Sequence, residues 1–168
     1  LEMVQCLAER RAGGETGVRQ VRCLSGNAVW EAVANGTIDE GLLQAAVVPL
    51  EGSLVKRGNR SLMELAKEPT AMIVDYRDGF RASILTLNGA VNEWSVAWHE
   101  DGDTKATMFW TQEARPFMHF TYLVKGTEQM FHTGKPSWPA DRTLYTSAIL
   151  DAALISLKRG GAAVSTPY

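Results

Sequence analysis

TAMIVDYRDGFRASILTLNG, residues 70–89, decides how the chain is read. Two runs rich in β-branched and other apolar residues flank Arg77-Asp78-Gly79, and a glycine at that point supplies the positive φ of a tight hairpin. Two further runs of the same kind follow, EWSVAWHE (93–100) and TKATMFWT (104–111). Asn88-Gly89 starts the turn before them, and Glu100-Asp101-Gly102-Asp103 separates them. These connections are too short for parallel crossovers, so the four runs predict an antiparallel meander.

Upstream, TGVRQVRCLSG (16–26) alternates loosely between apolar and polar residues and predicts one more strand with a wet face. Short helices surround it. AVWEAVANG (28–36) is expected to be capped by Ser25 or Asn27, and EGLLQAAV (40–47) by a capping box from Thr37 to Glu40. SLMELAKE (61–68) follows a Ser61 cap and stops before Pro69. The polar, glycine-containing residues 51–60 read as a mobile loop. At the start, LEMVQCLAERRAGG (1–14) has Leu1, Val4 and Leu7 on one helical face and a glycine stop, but no capping residue at its beginning. That missing start signal implies a piece of something longer.

Downstream the period becomes helical. PFMHFTYLVKGTEQMFHTG (116–134) spaces Phe120, Leu123, Val124, Met130 and Phe131 as one helix face, with Gly126 weakening its middle. KPSWP (135–139) is a rigid connector. ADRTLYTSAILDAALISLKRGG (140–161) is a last helix with an expected apolar face of Leu144, Ala148, Ile149, Leu150 and Leu154. The tail from Ala162 starts like a strand. The predicted architecture is a single α+β domain over 1–168: a mostly antiparallel open sheet with helices packed on one face. The other face stays open for a ligand or partner.

Composition narrows the function classes. Of 168 residues, 45% are hydrophobic and 21% charged, enough apolar content for a real core. Seventeen Lys and Arg against 19 Asp and Glu give a net charge of -2, and no basic cluster is interleaved with aromatics, which argues against nucleic acid. No apolar run approaches the ~18 residues of a membrane span. Cys6 and Cys23 stand apart and read as small buried hydrophobes in a reducing, cytoplasmic compartment.

No phosphate loop, nucleophile elbow or zinc-helix motif is present. The histidines, His99, His119 and His132, lack metal-ligand spacing, so no metal is expected. His119 opens the 116–134 helix, and Tyr122 follows about a turn later on nearly the same face. An imidazole and a phenol so placed can hold a hydroxylated substrate or exchange a proton with it. The competing reading makes His119 a helix-start residue and Tyr122 a core residue. His132 suits its helix C-terminus, and His99 beside the acidic turn reads as solvated. Asp141 and Arg142 read as a structural pair or a capping arrangement. Trp94 and Trp98 share a strand face as core, interface or sugar-stacking aromatics. Asp75 and Asn88 are polar residues positioned to face an open sheet surface.

The C-terminal third, HFTYLVKGTEQMFHTGKPSWPADRTLYTSAILDAALISLKRGGAAVSTP (119–167), resembles the closing segment of the glucose–fructose oxidoreductase/inositol dehydrogenase family (Gfo/Idh/MocA). MVQCLAERRAGGETGV (3–18) resembles that family's helix just past its catalytic histidine, and YRDGFRASILTLNG (76–89) resembles strands of a poorly characterised branch. The resemblance implies a parent with an N-terminal Rossmann domain that binds NAD or NADP and acts on a sugar or polyol. It implies that this chain begins after the family's Asp and His, so no catalytic and no cofactor-binding residue is carried over, and no cofactor is expected on this chain alone. The chain would be the substrate-binding and oligomerisation domain, with His119, Tyr122 and Asn88 as pocket contacts. It would form a homo-oligomer through the sheet, around Trp94 to Trp110. The alternative is a non-enzymatic small-molecule-binding or dimerisation module.

Overall fold

The computed structural model describes residues 1–50 and 58–167. In chain order its elements are α1 (Glu2–Ala8), β1 (Val18–Ser25), α2 (Asn27–Ala34), α3 (Glu40–Val47), α4 (Leu62–Leu65), β2 (Thr70–Tyr76), β3 (Arg81–Thr86), β4 (Trp94–Glu100), β5 (Asp103–Phe109), α5 (Met118–Thr133), α6 (Ala140–Lys158) and β6 (Val164–Ser165). The α+β class holds. Most of the segment read as a mobile loop, 51–57, lies outside the described residues, and 58–60 are exposed.

The expected meander divides in two. One sheet has the order β3-β2-β1-β6, all antiparallel, and β4 and β5 form a separate two-stranded sheet. The break falls at the connection after β3. There Gly89, at φ 89°, lies so close to α4 that a Cβ would meet the Leu65 carbonyl oxygen at 2.8 Å. Leu87 and Ala90 are buried beside it, with Leu62 and Ala66. The chain therefore turns onto α4 instead of returning along β3. In the second hairpin, Asp101 (φ 55°) and Gly102 (φ 84°) both take positive φ, as a two-residue primed turn requires.

Helices cover both faces of the four-stranded sheet, a correction to the one-sided arrangement. On one face α6 lies along β1, and Val21, Cys23, Val74 and Tyr76 pack with Ile149, Ala152 and Ala153. On the other, Val29 and Ala32 of α2 pack with Ile38, Ala71 and Ile73. Strand periodicity explains both cores, because Val74 and Tyr76 point one way and Ala71 and Ile73 the other.

Two caps move relative to expectation. α3 is capped by Asp39, whose Oδ1 accepts from Leu42 N at 2.8 Å, rather than by Thr37. α2 starts at Gly26 with no side-chain cap. Ser61 and Glu64 form the complete capping box of α4.

Of the face expected for α6, Ile149 is buried and the leucines are not. Thr146, Ile149, Ala152, Ala153 and Ser156 are its buried residues, while Leu144, Leu150 and Leu154 are exposed. Small residues let the helix lie close on β1, and Ser156 Oγ accepts from Cys23 N at 2.9 Å. No residue of α5 is buried at all. Among the described residues, no helix is long and apolar enough to cross a membrane.

Candidate functional site

α5 carries two of the three predicted contact residues. It ends on Gly134 in the left-handed conformation, with Gly134 N donating to Met130 O at 2.9 Å. His119 Nδ1 lies 2.9 Å from Gln112 O. A carbonyl only accepts, so Nδ1 holds the proton and Nε2 is left to accept from a ligand when the ring is neutral. Phe117 and Phe120 rings stand 6.4 and 4.2 Å from the imidazole. Tyr122 is 59% exposed, which corrects the reading of it as core.

Asn88 lies elsewhere, in the connection after β3, where its backbone oxygen accepts from Lys67 N at 3.3 Å. Among the described residues no hydrogen bond or ring contact joins His119, Tyr122 or Asn88 to one another. His119 and Tyr122 share a helix; the structure does not assemble the three into one polar site.

The concave feature nearby is an open groove of about 540 Å³ between α5 and α6. Gly126, Thr127 and Met130 line one side, Thr143 and Leu144 the other, and Trp138 closes an end. Gly126 is what permits it: a Cβ there would come 2.7 Å from Trp138 Cζ3. The glycine read as a weak point is thus a packing residue. Among the described residues no titratable side chain lines the groove, so they offer it apolar surface and hydroxyls but no acid or base.

Two polar networks were not singled out as such by sequence reading. Asp75, only 3% exposed, accepts from Gln20 Nε2 at 2.7 Å and Arg81 Nε at 2.6 Å, with Arg19 Nη2 at 3.9 Å. Burial pushes its pKa up, but Arg81 and Gln20 outweigh that and hold it below the usual carboxylate range. Asp75 therefore does not face an open surface as a free carboxylate. Arg22, also on β1, has a buried Nε with no acceptor among the described residues. The register names the signal: Gln20 pairs with Asp75, and Asp75 with Arg81.

The second network ties α1 to the sheet and α6. Tyr76 Oη donates to Gln5 Oε1 at 3.0 Å in the buried interior, and Gln5 Nε2 donates to Glu15. Burial, and next the nearby Glu15 charge, push the phenol far above its ordinary pKa. Arg11 stacks over the Tyr76 ring at 4.7 Å and pairs with Asp78 at 2.8 Å. Arg142, expected beside Asp141, instead grips Glu9, with Nε 3.0 Å from each carboxylate oxygen. These groups satisfy one another, which marks a structural network rather than an empty catalytic one.

His99 is exposed and bridges Asp39 at 3.6 Å and Thr104 Oγ1 at 3.0 Å, which links the second hairpin to the start of α3. His132 stands 3.9 Å from Glu128 in the same helix. Both cysteines are free thiols, Cys23 buried and Cys6 half-buried. Among the described residues no three His, Cys, Asp or Glu side chains gather as metal ligands. Trp94 packs on Phe109 across the hairpin at 6.4 Å, and Trp98 Nε1 donates to Glu100 at 3.3 Å. No family model, curated protein or solved structure matches the chain.

Proposed function

We propose that the chain is the substrate-binding and oligomerisation domain of an NAD(P)-dependent oxidoreductase-like protein that acts on a sugar or polyol. The observation that carries this reading is α5: an amphipathic helix with its apolar side in solvent and His119 and Tyr122 on its remaining surface. Such a helix completes its packing against another polypeptide surface. His119 and Tyr122 would then line the wall of a pocket whose reacting groups come from elsewhere, with Asn88 a further polar contact. The cofactor, NAD or NADP, would be held by the Rossmann part of the parent. Support for the oxidoreductase class is the ordered resemblance of the first helix, the hairpin and the last two helices.

The second reading, a non-enzymatic binding or dimerisation module, draws on the groove, which no titratable side chain lines among the described residues. Binding of NAD(H) and NADP(H) separates the two. The expected result is no binding by this chain and binding by the polypeptide extended upstream. Absence of binding by both overturns the oxidoreductase reading and favours the module.

A further inference from the structure

We infer that α5 is a homodimerisation helix whose apolar stripe packs against the same stripe of a second copy. This rests on the oligomerisation half of the reading above and gives it a surface. At 100° per residue, Phe120, Leu123, Val124, Thr127, Met130 and Phe131 fall within one arc of the helix. The chain leaves that arc open: Phe131 is 80% exposed, Val124 61%, Phe120 59% and Leu123 49%. No charged residue interrupts the stripe.

Area fits a dimer. With full side-chain areas of about 150–200 Å², the stripe plus Trp138 and Leu144 beside it expose on the order of 700 Å². An ordinary monomer's largest apolar patch is ~300–600 Å², whereas each partner of a stable complex contributes about 800 Å². The patch therefore accounts for most of one side of a standard interface.

The chemistry fits a second copy because a two-fold contact requires a patch that complements itself. Apolar bulk stands at both ends of the stripe, with Thr127 between them and the groove alongside. Two antiparallel helices crossing at Thr127 place Leu123 of one copy opposite Phe131 of the other, and Val124 opposite Met130. Lys125 lies on the far side of the helix from this contact, so no charge of that turn is buried by it. The β4–β5 hairpin exposes fewer large apolar side chains, Trp94 at 56% with Trp110 at 77% just after it, against the five of the stripe.

Sedimentation of the whole chain tests this. The wild type is expected to be a dimer at about 10 μM, and Phe131→Glu and Val124→Glu each to raise the dimer dissociation constant at least ~30-fold, as at a hot spot. Both positions are exposed, so the variants should keep the wild-type circular dichroism. Trp110→Glu, on the hairpin side, should leave the dimer intact. Thr127→Cys, on the two-fold, should oxidise to a cross-linked dimer that the wild-type thiols do not give. A folded chain that stays monomeric at about 100 μM overturns the inference. So does a Thr127→Cys chain that gives no cross-link, or a dimer that survives both stripe variants. A dimer that survives them and is lost in Trp110→Glu overturns it while leaving the oligomerisation reading standing. The cofactor reading fails separately, in nucleotide binding.

Discussion

The four-stranded sheet with α1 and α6 differs from the region of α5 in where its apolar side chains go. In the first, Val21, Ile73, Val74 and Ile149 are completely buried, and the buried Gln5 and Ser156 side chains are paired, while Arg22 Nε has no acceptor among the described residues. In the second, larger side chains such as Phe120 and Phe131 stay in solvent, and the helix reaches its neighbours through Gly126 and Trp138. Hydrophobic periodicity is as clear in α5 as in the strands. Periodicity reports that a face will be covered; it does not say whether this chain covers it.

The contrast is sharpest inside one helix. Ile149 is 0% exposed and Leu150 is 47% exposed. Ile149→Ala should destabilise the fold by about 2–5 kcal/mol, since it removes core contacts and leaves a cavity. Leu150→Ala should change it by no more than ~0.5–1 kcal/mol. Chemical denaturation at a concentration where the chain is monomeric measures both. Equal losses would mean that the Leu150 face is covered within the folded chain, and the division between the two regions would collapse.

That pair also shows what the sequence could and could not disclose. Strands, hairpin turns and the Ser61 cap were legible because each depends on residues a few positions apart. The expected apolar face of α6 held at Ile149 and failed at Leu144, Leu150 and Leu154, because leucine outranks alanine on any hydropathy reading. Yet close approach to β1 selects Ala152, Ala153 and Ser156. The division of the meander depends on Gly89 meeting the backbone of Leu65, a contact between segments that periodicity does not encode. His119 and Tyr122 could be placed on one helix from their spacing alone. Whether Asn88 joins them is a tertiary question, and the fold leaves it apart.

A smaller effect tests the interior polar network. Tyr76→Phe keeps the ring that Arg11 stacks on but removes the hydroxyl that donates to buried Gln5 Oε1. With that acceptor left unpaired, the expected cost is about 1–2 kcal/mol by the same denaturation measurement. Tyr122→Phe, at an exposed hydroxyl without a partner among the described residues, should cost nothing measurable in stability. If the two phenols behaved alike, the first region would have no advantage in satisfied polar groups.

The smallest expected effect lies where α1 meets α6. Arg142 donates to Glu9, and that hydrogen bond holds the Glu9 pKa below its ordinary value of 4.5 despite partial burial. A carboxylate whose pKa is lower folded than unfolded contributes stability above its unfolded pKa and loses it as pH falls through the folded one. Glu9→Gln should therefore cost about 1 kcal/mol near neutrality and progressively less below pH 4.5, where the wild type also loses the charge. The difference between the two stability-against-pH curves isolates this pair from Asp75, which titrates in the same direction in both proteins. A gap that stayed constant into acid would show that Glu9 acts through packing. The clamp between the first and last helices would then be apolar, like the rest of that region, and the polar seam that distinguishes it from α5 would carry no weight.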